Sequence, residues 1–373
     1  MKVAPLGTIP TAAQVPALTP VRPVARVQGG QLLREMQRAV EADAVDPAQV
    51  VEGLSRVGAP KTSSQPGLAP LLPQTPAQAT AQATAQALRT ALTRQSGLAP
   101  LMADLNQALR AQVLSPPARA AALQMLTQLV PLDPEVRGAD IKRALKTSGL
   151  FLEANLAADP ETSPLGDDLK AALLVLRQAL GPATRRPPGA TPRPPYGGAP
   201  TSAQKAALPS LPLNASAAAI GEALAAETQG ALAHLDLLQL ASLPEPDKPG
   251  EPTRWMFETP LQTPQGPGVA QFEISRDSQG RARDEEREPL WRARFSVDFE
   301  PVGPVDAQVA FEGDLARVSL WVLRTDAAER LRAAQPMLAK VLAAANLQLE
   351  LAVHSGPPPA PITSSGRLLD QSA

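Results

Sequence analysis

Few side chains in this chain could do covalent chemistry. There are two histidines, His234 and His354, and no cysteine among 373 residues. A zinc site built on these histidines would have to borrow carboxylates from several loops, so no metal is expected. A serine–histidine–acid triad would have to recruit one of the same two. His234 falls in a helical pattern, and His354 ends a strand before a proline tract. Neither neighbourhood contains a nucleophile elbow. No glycine loop with its lysine is present to cradle a phosphate, and no dinucleotide fingerprint. Asp284-Glu285-Glu286 resembles a pair of working acids, but Arg281, Arg283 and Arg287 surround it, which describes a solvated charged loop. Arg292 and Arg294 share the outer face of a strand without aromatic side chains between them, which disfavours nucleic acid. The expectation is a protein that is not an enzyme, with no cofactor and no small-molecule substrate.

The elements that would carry any site are unevenly distributed. Of 42 prolines, 11 follow Thr253, whereas eight of the ten aromatic residues lie between Trp255 and Trp321. Bulky core-forming side chains gather in the last third and chain breakers in the first two-thirds. The formal net charge is −1, too little for a large electrostatic attraction to nucleic acid or acidic membrane. The predicted fold class is α+β: a small C-terminal domain, mostly antiparallel sheet with one packed helix. It stands behind a long Pro/Ala-rich, largely disordered N-terminal region containing α-helical segments.

The C-terminal pattern is the clearest. Trp291, Ala293, Phe295, Val297 and Phe299 alternate with Arg292, Arg294, Ser296, Asp298 and Glu300, the period of a half-buried strand. Pro301, Val302, Gly303 and Pro304 break it. Val305, Ala307, Val309 and Phe311 alternate again, and a third apolar run covers residues 317–323. The period then becomes helical. Thr325 and Asp326 compete as N-cap, Leu331, Leu338 and Leu342 form the stripe, Pro336 predicts a kink or restart, and Asn346 is a C-cap. Leu347, Leu349, Leu351 and Val353 close the module as a strand. Earlier, residues 255–257 and 270–274 alternate around a hairpin-length loop at 263–268. The predicted core comprises Trp291, Phe295, Phe299, Val309, Leu331, Leu338, Leu342 and Leu349.

The order FEPVGPVDAQVAF, LARVSLWV, ERLRAAQPMLAKVLAAANL, LQLELAV resembles the C-terminal domain of flagellar hook-length control proteins. The phrases IKRALKTSGLFLEANL and DLKAALLVL are similar to the family's helical middle region. The resemblance implies an exported molecular ruler. Its C-terminal domain would contact the specificity-switch component of the export gate and change export from hook-type to filament-type substrates. It further implies possible contacts with hook and hook-cap subunits, and a cytoplasmic protein then secreted through the type III apparatus without a cleavable signal peptide. The gate contact is expected at Pro301, Val302 and Gly303 and on the neighbouring helix surface. The family more often carries leucine where this chain has Val302. A second reading is a cytoplasmic adaptor or scaffold that recruits partners through its proline tracts.

The rest of the chain divides as follows. Residues 1–30 are proline-punctuated and predicted disordered, with an export signal implied by the resemblance. Every apolar run there is too short for a secretory leader, and none in the chain reaches the roughly 20 residues of a membrane span. Residues 31–58 read as short helices and 59–87 as a low-complexity linker. Residues 88–181 form a helical region whose narrow stripes imply weak packing. Residues 182–213 are a proline-rich linker, and a long helix capped by Asn214 covers 214–243. The C-terminal domain spans 251–356, and 357–373 is a disordered tail. Fully extended, the first 250 residues would reach on the order of 800–900 Å.

Overall fold

In the computed structural model the described residues are 76–132, 136–158, 165–185, 191–196, 200–212, 214–243, 253–276, 290–312 and 314–359. The segments read as an export signal (1–30), as short helices (31–58), as the acidic loop at 284–286 and as the tail beyond 359 lie outside them. Contacts divide the chain into Met1–Thr84 and Ala85–Ala373. Of the first unit only Pro76–Thr84 is described, as helix.

The described helices before the sheet are α1 (Pro76–Arg94), α2 (Leu98–Arg110), α3 (Pro116–Leu126), α4 (Gly138–Lys146), α5 (Leu152–Ala158), α6 (Leu169–Leu180) and α7 (Ala217–Ala241). Helix α1 runs through the repeat AQATAQATAQA, read from the sequence as linker. Alanine and glutamine favour the helix, and its buried contact comes late, where Ala91 meets Ala233 and Leu237. Pro116 opens α3, where its missing N–H costs nothing. Asp168 caps α6 by accepting from Ala171 N at 3.0 Å. Ser216 caps α7 by accepting from Ala219 N, two residues past the expected Asn214.

Weak packing of these helices is not what the structure shows. Leu101, Met102, Leu105, Met125, Leu173, Leu176 and Leu224 are at most 1% exposed and share one cluster. Ala99, Ala108, Ala121, Ala122 and Ala172 belong to the same cluster. Small side chains let helix axes approach, so narrow leucine stripes interlock. Each large apolar side chain so buried contributes roughly 1.5–3 kcal/mol before entropy is charged against it.

The sheet has seven strands among the described residues: β1 (Val130–Pro131), β2 (Thr253–Thr263), β3 (Gly266–Arg276), β4 (Trp291–Phe299), β5 (Gly303–Glu312), β6 (Leu315–Val322) and β7 (Gln348–Ser355). Their order across the sheet is their order along the chain. Strands β2 to β6 are antiparallel neighbours, and β1 with β2 and β6 with β7 are parallel. The α+β class therefore holds. The β2–β3 hairpin is tighter than expected, because Thr263 pairs Gly266 across only Pro264 and Gln265. Gly266 has φ 133°, and a Cβ there would lie 2.8 Å from the Ala207 carbonyl oxygen, so both backbone and space demand glycine.

Register assigns the two faces. Gln271, Ser296, Asp306, Trp321 and His354 share one, and Phe272, Phe295, Ala307, Leu320 and Val353 the other. On the first face, α2 and α7 cover β2 and β3. Val269 joins the helical cluster and Met256 N donates to Ser242 Oγ at 2.8 Å. The second face is covered near β6 and β7 by α8 (Thr325–Ala344). Helix α8 runs unbroken through Pro336, where a kink or restart was expected. Its N-cap is Arg324, which places Thr325 and Asp326 in the first turn. Asn346, at φ 59°, takes the left-handed position that ends the helix, one residue past the C-cap Ala345.

The core of this end differs from the predicted list. Trp291 is 38% exposed, because it starts β4 at the end of the sheet, stacked on Trp255 at 6.2 Å with Arg276 over its ring. Phe295, Phe299, Val309, Leu331, Leu338, Leu342 and Leu349 are half-buried. The fully buried residues are smaller: Val305, Ala307, Ala316, Val318, Val322, Ala327 and Ala328. One helix over the margin of a sheet leaves the larger side chains at the rim of the covered area.

Residues 201–211, expected to be spacer, form a strap across β3 and α2. Gln204 exchanges both backbone hydrogen bonds with Val269 at 2.9 Å, and Ala207 N donates to the Pro267 carbonyl at 2.9 Å. The strap thus occupies the position beside β3 that β4, which pairs only from Gln271 onward, leaves open.

Candidate partner-binding face

The expected contact residues sit in the turn from β4 to β5. Val302 N donates to the Phe299 carbonyl at 3.0 Å, and the Glu300–Pro301 peptide is cis. Pro301 is exposed, Val302 half-buried and Gly303 buried. Val302 packs on the cluster of Val305, Val322, Ala327 and Ala328, against the first turn of α8. Gly303 has φ 79°, a conformation that side chains with a Cβ resist. The turn and the helix start are therefore one surface, with Pro301 as its outward group and Val302 as its anchor.

A chain of exposed charges runs along this surface. Lys205 Nζ lies 3.9 Å from Glu300, Glu300 3.5 Å from Arg324, Arg324 3.0 Å from Asp326 and Asp326 3.5 Å from Arg330. A hydrogen bond from Arg324 holds the Asp326 carboxyl below its ordinary range. Such pairs add little stability in water but fix the pattern of charge a partner would meet. Further along, Leu323, Met337 and Val341 are 60%, 72% and 65% exposed, large apolar side chains that the fold does not use. Met337 and Val341, one turn apart, together with half-buried Leu338 and Leu342 form a short apolar strip late in α8, whereas Leu323 lies just before the helix start.

From β4 to β7 the order is strand, turn, strand, strand, helix, strand, with the turn against the helix start. Residues 279–361 match the family model for the flagellar hook-length control protein FliK. No curated protein and no solved structure matches the chain. The hook-length control match runs from residue 279, ahead of β4, to just past β7, so it includes the turn, α8 and the apolar strip. Strands β2 and β3 and the helices on them lie outside it, although β3 pairs with β4 along residues 271–276.

The two histidines sit on different elements, His234 on α7 and His354 on β7. His234 is buried between α7 and β2, with Nδ1 2.9 Å from Gln95 Oε1 and Nε2 2.9 Å from Glu258 Oε1. Both ring nitrogens are thus engaged, and neither is free to act on Ser96, which lines the same small cavity of about 10 Å³. Glu258 also accepts from Gln204 Nε2 at 2.9 Å and Gln271 Nε2 at 3.2 Å. The result is a polar cross-link between helices, strap and sheet. His354 stacks on Trp321, its register partner, at 5.3 Å. Among the described residues no group of three His, Cys, Asp or Glu side chains could hold a metal, and no helix is long and apolar enough to cross a membrane. Arg294, read as an outer-face cation, is tied across the strands to Glu273 at 2.7 Å.

Two further buried polar groups escaped sequence reasoning because their members are far apart in the chain. Lys170 reaches Glu153, Asp236 at 3.3 Å and Gln239 Oε1 at 2.7 Å. Burial lowers the Lys170 pKa, but Asp236 and Glu153 outweigh it and the net shift is upward. Asp104 and Glu227 meet between α2 and α7, each at most 1% exposed. Isolated polar letters within a leucine stripe were the only available signal.

Proposed function

We propose that the protein controls flagellar hook length. It is an exported ruler whose C-terminal domain switches type III export from hook-type to filament-type substrates by touching the specificity-switch component of the export gate. The observation that carries this reading is the family match over β4–β7 and α8. In support, the segment matched contains an exposed turn at Pro301, an exposed Leu323 before α8, and a short apolar strip at Met337 and Val341 that packing leaves unused. The contact is assigned to Pro301, Val302, Gly303 and that strip, with Val302 setting the turn on the helix. Hook and hook-cap subunits are the partners proposed for the front of the chain.

Deleting the gene is expected to give over-long hooks without filaments, and the full-length protein is expected in culture medium only when the flagellar export apparatus is intact. Normal hooks and filaments in the deletion strain would overturn the reading. Retention of the protein in wild-type cells would turn it towards an adaptor inside the cell.

A further inference from the structure

The best-built feature outside the matched segment is the end of the strap. Ser210 N donates to Asp104 Oδ1 at 2.5 Å, Ser210 Oγ to Asp104 Oδ2 at 2.6 Å, and Leu211 N to Oδ1 at 3.3 Å. Gln107 Nε2 adds a bond to the Leu211 carbonyl at 2.8 Å. One carboxylate on α2 therefore holds most of this end. Asp104 is 0% exposed, and against it lies Glu227 of α7, 1% exposed, whose two oxygens meet no hydrogen-bond donor. Two carboxyl groups in one dry site cannot both be charged.

We propose that the strap Thr201–Leu211 is a pH-sensitive clasp, fastened through Asp104 while Glu227 holds a proton and released when that proton leaves. A protonated Glu227 donates to Asp104 and leaves its charge free to bind Ser210 and Leu211. An ionised Glu227 sets a second negative charge beside the first without a cation to offset it. Burial, and then the charge of Asp104, push the Glu227 carboxyl up to about 9. The other charged groups on α7 are spent elsewhere, Glu222 accepting from Thr184 and Arg185. Lys170, Glu153 and Arg177 gather at Asp236, and Glu258 of β2 faces His234. The charge facing Glu227 is that of Asp104.

The sign follows from proton binding. The native chain keeps a proton on Glu227 that the unfolded chain gives up at an ordinary carboxyl pKa, so this site weakens steadily as pH rises between the two values. Above about 9 the native site itself ionises. The clasp is then the first attachment to give way. Its opening frees the Val269 and Pro267 backbone groups of β3 that Gln204 and Ala207 cover.

Hydrogen exchange on the full chain tests this, at pH 7 and pH 10 with labelling times scaled to the intrinsic rate. Protection of residues 204–211 is expected to fall at least tenfold at pH 10 while that of β4 and β5 holds. In Glu227→Gln, whose amide donates to Asp104 at every pH, strap protection is expected to stay constant. Glu227→Met serves if the glutamine variant does not fold, since it too removes the titrating group. Asp104→Asn is expected to loosen the strap already at pH 7. Unchanged wild-type protection at pH 10, loss in β4 and β5 in step with the strap, or an equal fall in the Glu227 variants would overturn the proposal.

Discussion

Replacing Lys170 by methionine gives the sharpest test of the helical layer. The ammonium is 11% exposed as a side chain and holds Glu153, Asp236 and Gln239 together. Methionine preserves most of the apolar stem, so the loss is electrostatic rather than a cavity. Removing one partner of a fully buried pair costs about 3–5 kcal/mol. Glu153 and Asp236 keep 22% and 29% of their side-chain surface, so water compensates in part. The expected loss at pH 7 is therefore about 2–3 kcal/mol, below the fully buried range. Burial already raises the Asp236 carboxyl, and losing Lys170 removes the charge that pulls it down. Orphaned carboxyls escape their penalty by taking protons, so the deficit is expected to shrink towards pH 4. Urea denaturation of wild type and Lys170→Met at pH 4, 5, 6 and 7 measures this, with the slope against denaturant checked for constancy. A deficit under about 1 kcal/mol at pH 7, the range of exposed pairs, would refute the reasoning. So would one that does not change with pH.

Three further outcomes are expected. Gly266→Ala should destabilise the β2–β3 hairpin by more than 1 kcal/mol, because its φ of 133° and the Ala207 carbonyl 2.8 Å from the new Cβ both oppose it; thermal unfolding reads the shift. Leu176→Ala, at 0% exposure, should cost about 2–5 kcal/mol, and a value under 1 kcal/mol would restore the weakly packed helical region that the sequence suggested. Met337→Asp with Val341→Asp should leave the circular dichroism and melting of the domain nearly unchanged, since both residues are mostly exposed, yet abolish filament formation in a complementation assay. Filaments at wild-type frequency would remove the apolar strip from the proposed contact.

The strands of the matched segment were legible because a half-covered sheet writes its two faces as strict alternation, as residues 291–299 do. The helix after them was legible by its stripe, and it continues through Pro336 without the restart that a proline there suggested. Core membership was harder to read. Size argued for Trp291, yet its place at the end of the sheet left it at the rim, while Ala327 and Ala328, in the first turn of α8, were sealed against Val305 and Val322. The strap was illegible for a different reason. Its fixation comes from Gln204, Ser210 and Leu211 meeting Val269 and Asp104, partners some 65 to 107 residues away that no local period reveals. The similarity of residues 279–361 to the hook-length control family lies in the order and spacing of its elements, features that survive substitution at Val302.

Because each strand from β2 onward lies beside its predecessor in the chain, the sheet has the mechanics of a zip. Once β1 and the helices are stripped away, tension applied from the front meets one row of backbone bonds at a time. Each strand becomes the margin only after the one before it has gone. Under such tension the segment bearing Pro301 and α8 is consequently the last to lose its shape.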